Sequence, residues 1–149
     1  MDIKILSETL GQCIIEIESF NTEVTLIVDR RSILTVCDFL KNDPRLLFDF
    51  LSDCCGVDRF PESPRYWVVY HIYSIAHNHR VSIKASLDDA KPVIDSVVSI
   101  WQSADWMERE CYDMFGIEFR NHPDMRRILM PDDFQGFPLR KDFPLEGLE

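Results

Sequence analysis

The sequence predicts an α+β fold: a two-layer domain with a mixed sheet, followed by C-terminal helices and an extended, proline-containing tail. Three observations predict it. Strand-like runs arrive as hairpin pairs, and helical stripes fall between the pairs. The last thirty residues hold four of the chain's eight prolines and follow neither a helical nor a strand period. At 149 residues the chain fits one domain with a sizeable core. Its 46% hydrophobic and 28% charged content is ordinary for a soluble globular protein.

The elements follow in order. Ile3, Leu6 and Leu10 recur at helical spacing and predict a short opening helix. In CIIEIES, Ile15 and Ile17 alternate with Glu16 and Glu18, the period of a half-buried strand. FNTEV then holds a turn, and VTLIVD returns as the second strand of a hairpin. Asp29 is placed to cap the next helix, whose apolar face is Ile33, Val36, Cys37 and Leu40; Asn42-Asp43-Pro44 stops it. RLLFDFLSDCCGVD reads mainly as a strand, and RFPESPR as a loop. YWVVYHIYSIAH is aromatic and β-branched, hence a central strand. Asn78-His79 makes the turn, and RVSIKASL returns with Val81, Ile83, Ala85 and Leu87 inward. The predicted core is thus helix-strand-strand-helix-strand-strand-strand.

VIDSVVSIW then reads as helical. A second helix follows, capped by Ser103 or Asp105, with Glu108 three residues after Asp105 as in a capping box. Met107, Cys111, Met114 and Phe115 form its apolar stripe, and Arg109 and Asp113 are spaced to pair at i,i+4. Gly116 suits the position just past the helix. These features divide the chain into an α+β domain, residues 1–119, and a C-terminal tail, residues 120–149.

The tail carries Met125, Ile128, Leu129, Met130, Phe134, Phe137, Leu139, Phe143, Leu145 and Leu148. It is too rich in aromatic and aliphatic residues to be disordered. It therefore needs a surface to lie on. Stretched out, it spans up to ~100 Å, more than a small domain requires, which favours a surface on another protein of an assembly. Arg126-Arg127 and Arg140-Lys141 read as specificity charges reaching acidic groups on that partner. At least one of Arg126 and Arg127 is expected to be buried at an interface and paired with a carboxylate.

Several function classes fall away. A net charge of −10 argues against a nucleic-acid binder. No apolar run approaches the ~20 residues of a membrane helix. MDIKILSETL lacks the basic patch and apolar core of a secretory signal, so the expectation is a cytosol-facing chain whose membrane contact is indirect. Cys13, Cys37, Cys54, Cys55 and Cys111 contain no C-x-x-C pair, and their odd number predicts reduced thiols. Cys54-Cys55 reads as two small buried apolar residues in a strand, ahead of a redox site. Glu108 and Glu110 lie two apart on a helix, point in different directions, and suit ion pairing better than acid–base chemistry. His77 and His79, an H-x-H across a hairpin tip, read as solvated turn residues rather than metal ligands. His71 reads as a satisfied core or near-core histidine, and His122 as a cap or the partner of a carboxylate. With five glycines and no G-x-G-x-x-G or Walker loop, a phosphate cradle is not expected.

One pattern is highly specific. Glu108-Arg109-Glu110 is followed by Asp113, Met114-Phe115, His122, Arg126 and Ile128-Leu129. In this the chain resembles the C-subunit family of respiratory complex I, the proton-pumping NADH:quinone oxidoreductase. FDFLSDCCGVD, VVYHIYSIAHNHRVSIK and MPDDFQGFPLRKDFPLEG extend the resemblance over most of the chain, although Cys54-Cys55 stand where Leu-Thr is commoner. The resemblance implies a non-catalytic structural component of the peripheral arm, on the cytoplasmic side of the bacterial inner membrane. It implies docking on the D and B subunits, with FMN, iron–sulfur clusters and the quinone site all in partners and no cofactor or metal in this chain. The electron transport and proton translocation would then belong to the whole complex. Glu108, Arg109, Glu110, Asp113, His122, Arg126, Arg127, Arg140, Lys141 and Asp142 are the expected docking residues. The alternative is the equivalent component of a membrane-bound hydrogenase or another donor:quinone complex. A free-standing enzyme using Glu108, Glu110 and His122 is the remaining class.

Overall fold

The computed structural model describes residues 3–21, 23–144 and 146. Thr22 in the first predicted turn, and Leu145 and Leu148 of the predicted apolar tail, lie outside the described residues. The opening helix α1 (Ile3–Leu10) leads into the hairpin β1 (Ile14–Phe20) and β2 (Glu23–Val28). Asp29 caps a short 3-10 turn, accepting the Arg31 amide at 2.9 Å, and α2 (Ile33–Asn42) continues from it. Three antiparallel-paired strands follow: β3 (Phe50–Asp58), β4 (Tyr66–Ser74) and β5 (His79–Ser86). Their order in the sheet is β1-β2-β5-β4-β3, and the β2–β5 pair is parallel, so the sheet is mixed as predicted.

Alternation decides which face is covered. Leu26 and Val28, Val81, Ile83 and Ala85, and Val68, Tyr70 and Ile72 all point one way and are buried. Leu6 and Leu10 of α1 and Ile33, Val36, Cys37 and Leu40 of α2 belong to the same core. Each such side chain, fully buried, contributes roughly 1.5–3 kcal/mol. The opposite face carries His71, Arg80, Ser82 and Lys84 and stays open.

Three stretches depart from the sequence reading. Residues 45–49 are not strand. The Leu46 and Leu47 amides both return to the Asp43 carbonyl at 2.9 Å, and Leu47 takes φ 46, so pairing starts only at Phe50. The β4–β5 turn spans Ile75–Asn78, with Asn78 at φ 53, and His79 already belongs to β5. VIDSVVSIW is not a helix. Its first residues form β6 (Val93–Asp95), parallel to β7 (Glu118–Arg120), and the rest makes single turns. A β-branched run pairs readily once a partner strand exists, and here that strand comes only after the following helix.

Helix α3 (Ala104–Phe115) packs along β3. The approach is close at Gly56, where a Cβ would meet the Phe115 ring at 2.7 Å. The predicted boundary between residues 119 and 120 falls inside β7. Beyond it, the described part of the tail lies against its own domain, not away from it: the Leu139 amide donates to the Met114 carbonyl at 3.1 Å, and the Lys141 amide donates to Asp58 at 2.8 Å.

Candidate functional site

The charged motif sits on α3 and on the tail that crosses it. Asp113 faces inward from the last turn of α3 and its carboxylate is fully buried. Its Oδ2 accepts three consecutive tail amides, Ile128, Leu129 and Met130, at 3.0, 2.7 and 2.8 Å. Its Oδ1 takes Arg127 Nη1 at 2.6 Å. Burial acts to raise this carboxyl, but the amides and the guanidinium outweigh it and hold it below the ordinary range. Arg127, with 13% of its side chain exposed, also donates to the Phe134 and Gly136 carbonyls, each at 2.9 Å. Arg109 lies one turn before Asp113 and donates to the carbonyls of Arg126 and Arg127 at 3.1 and 3.0 Å. The expected Arg109–Asp113 pair does not form, because the tail backbone recruits both side chains.

Two further contacts fasten the end of the tail. Gly116, at φ +72, ends α3, and a Cβ there would stand 2.5 Å from Arg140 Nη2. Arg140 uses that space to donate to the Phe115 carbonyl at 2.7 Å, its guanidinium over the Tyr66 and Phe137 rings. Arg65 binds Asp58 through two nitrogens at 2.8 and 2.7 Å and reaches Asp142 at 3.0 and 2.8 Å. The Arg65 guanidinium holds both carboxyls low. Sequence reasoning missed Asp58 and Arg65. Their only local signal was an acid closing a buried strand and an arginine in the proline loop after it.

The remaining motif residues divide. Glu108 is fully buried but does not cap α3, and the Ser103 side chain makes no cap bond either. Instead Glu108 Oε1 accepts the Val97 amide at 2.7 Å, which helps keep residues 93–101 from continuing as a helix. Its Oε2 has no hydrogen-bond partner among the described residues, and His122 Nε2 is 4.0 Å away. His122 Nε2 lies 3.0 Å from the Asp105 carbonyl, and its Nδ1 accepts the Asp124 amide at 3.0 Å. Burial raises the Glu108 carboxyl to about 7, with Ser96 and the Val97 amide opposing it in part. Arg126 is 70% exposed and, among the described residues, pairs only with neighbouring Asp124, at 2.6 Å. Glu110 is exposed on the rim of a groove of about 800 Å³ between α3 and the tail, lined also by Trp106, Met107, Ile128 and Leu129. Lys141 is exposed, its Nζ 3.4 Å from the Phe60 carbonyl. His77 and His79 stack on each other at 6.0 Å, apart from this cluster. The carboxylates Glu108 and Glu110 are thus separated, one in the core and one in solvent, and do not converge on a reacting atom.

The geometry separates the two neighbouring arginines. Removing one partner of a buried pair strands the other charge at ~3–5 kcal/mol, whereas an exposed pair is worth ~0–1 kcal/mol. Asp113→Ala and Arg127→Ala should each lower the urea-unfolding free energy of the isolated chain by that larger amount, and Arg126→Ala should barely change it. Equal effects at 126 and 127 would contradict the assignment. Glu108 predicts a pH dependence, because the folded state holds its proton more tightly than the unfolded chain does. That contribution is full below the ordinary carboxyl range and is lost as pH rises through about 7. Between about pH 5 and about pH 8 the wild type should lose up to roughly 3 kcal/mol relative to Glu108→Gln. A stability difference that is flat across this window would sink the reading.

Known proteins share both the sequence and the fold. Residues 26–149 match the family described as respiratory-chain NADH dehydrogenase, 30 Kd subunit. The C subunit of the NADH-quinone oxidoreductase of Geotalea uraniireducens is 46% identical over 142 residues, covering 95% of this chain and 85% of that one. The C 2 subunit of the Rhizobium meliloti enzyme is 52% identical over 120 residues, 80% of this chain and 65% of its own. Among solved structures, a trypsin-resistant fragment (1-134) of Nqo5 aligns with TM-score 0.71 at 27% identity, over 81% of this chain and 96% of the fragment. A chain of the membrane-bound sulfane sulfur reductase, an archaeal respiratory membrane complex, shares the fold with TM-score 0.81 at 22% identity, over 96% of this chain and 84% of that one. The chain therefore belongs to the 30 Kd subunit family of respiratory-chain NADH dehydrogenase, which is the family of the NADH-quinone oxidoreductase C subunits.

Proposed function

We propose that the chain is a non-catalytic structural component of the peripheral arm of a proton-translocating NADH:quinone oxidoreductase. In this reading it docks on the D and B subunits at the cytoplasmic face of the inner membrane. FMN, the iron–sulfur centres and the quinone site belong to the partners. Among the described residues no helix is long and apolar enough to cross a membrane; in this reading membrane contact runs through those partners.

One observation carries the reading. The tail is fixed on α3 by buried charges, yet it and α3 present large apolar side chains outward: Trp106 is 71% exposed, Leu129 61% and Leu139 54%. A domain that anchors an irregular segment so firmly and leaves its outer side apolar has the make-up of an interface core. Most of the motif charges are engaged within the chain; Glu110 stands at the groove rim, and Arg126 and Lys141 are exposed elsewhere on the surface. In this reading the engaged charges shape the surface that meets a partner.

The test uses exposed residues that the fold does not need. Interface anchors of this kind cost about 2 kcal/mol or more when lost, roughly thirtyfold in affinity. Trp106→Ala and Leu129→Asp should leave the melt of the isolated chain unchanged. In membranes they should reduce both co-purification of the other peripheral-arm proteins and NADH:quinone activity. Wild-type assembly of both variants would contradict the proposal. Recovery of partners other than the D and B subunits would redirect it.

A further inference from the structure

We infer that the open face of the sheet carries a three-ligand site for a borderline-soft divalent cation of the zinc class, formed by Asp53, Cys55 and His71. The inference stands independently of the proposed function.

The ligands come together through strand geometry. Residues two apart on a strand share a face, so Asp53 and Cys55 point the same way. What decides the face is the irregularity between Leu51 and Asp53. Leu51 pairs with Ile72 and Asp53 with His71, so β3 advances two residues while β4 advances one. Ser52 is the extra residue, and its hydroxyl ties back to the His71 carbonyl at 2.8 Å. Without that bulge Asp53 would oppose Tyr70 and turn inward; bulges re-aim side chains in this way. As built, Leu51 and Cys54 face the core, while Asp53 and His71 are exposed and Cys55 is half-buried. One carboxylate oxygen, the Cys55 sulfur and one imidazole nitrogen lie within 4.8 Å of one another. Bonds of ~2.0–2.3 Å to a tetrahedral zinc place its donors roughly 3.3–3.8 Å apart, so small side-chain rotations close the set.

The second observation concerns the imidazole. His71 is paired with Ser82 across β4–β5, and its Nδ1 lies 2.9 Å from Ser82 Oγ. No hydrogen bond among the described residues engages Nε2. A ring oriented through one nitrogen, with the other free to bind, is the usual arrangement of a metal-ligating histidine. Sequence reasoning takes His71 for a satisfied core or near-core residue; it is neither buried nor fully bonded. The donor set also selects the metal class. Thiolate with imidazole and carboxylate disfavours calcium and magnesium and suits zinc or cobalt. Three protein ligands leave a fourth position for water, and Asp53 and His71 border a cleft of about 460 Å³ on the sheet surface.

Cobalt(II) titration of the purified chain tests this, since cobalt takes zinc's place and a thiolate ligand gives an intense charge-transfer band. The expected result is one bound equivalent with that band, displaced by added zinc. Cys55→Ser should abolish the band, and Cys55→Ser, His71→Ala and Asp53→Asn should each weaken zinc binding by at least about tenfold in a chelator-competition assay. Thermal melts of the three variants should match wild type, because the side chains lie outside the core. Cys13→Ser should change neither readout. The inference is overturned if saturating cobalt gives no thiolate band, if the band survives in Cys55→Ser, or if it disappears in Cys13→Ser.

Discussion

The architecture around α3 depends on one buried carboxylate. Asp113 has no water to hold its charge, so it must be satisfied by donors, and the chain supplies four: three successive amides and a guanidinium. An unpaired charge at that depth would be prohibitive. The requirement runs both ways. The tail between Ile128 and Met130 has no ladder partner for its amides, and Asp113 is what satisfies those three donors where the tail crosses the helix end. Helix end and tail are therefore one unit, and Gly116, Arg140 and Arg127 are placed by the same closure.

The charged motif then has a different meaning from the one its composition suggests. A run of charges leading into an irregular tail looks like a set of contacts waiting for a partner. In the folded chain, Arg109, Asp113, Arg127 and Arg140 are engaged internally, and Asp58, Arg65 and Asp142 fasten the far end. What faces outward includes Trp106, Leu129 and Leu139, with Glu110, Arg126 and Lys141 as the exposed charges around them. A surface of this kind is rigid before it meets a partner, and pre-ordering spares the association the entropy of ordering a loose tail. Family membership and surface chemistry both support the proposed role as a shaped part of a larger assembly.

Much of the fold was legible wherever one period ran unbroken. The stripe Ile33, Val36, Cys37 and Leu40 and the alternation in RVSIKASL each carry their own answer, because local spacing alone decides which face is buried. Legibility failed where a distant group decides. Residues 93–101 are apolar enough for a helix, but the β7 ladder and the Glu108 carboxylate claim their backbone. Arg109 and Asp113 have the right spacing to pair, yet the tail offers each a better partner. The expected docking residues stand out as a set through the family pattern, but their directions do not, since whether a charge turns in or out depends on contacts with a distant part of the chain. Cys54 is buried, as its strand context suggests; its neighbour Cys55 is not, because a one-residue bulge sets the face.

Amide hydrogen exchange in the isolated chain, resolved at Ile128, Leu129 and Met130, tests the central claim most directly. These residues lie in no helix or strand, so ordinary loop behaviour would leave their amides exchanging fast. If Asp113 holds them as described, they exchange only with global unfolding, at rates matching the β4–β5 core, and all three lose protection together in Asp113→Ala. Rapid exchange at the three positions in an otherwise protected wild-type chain would contradict the account.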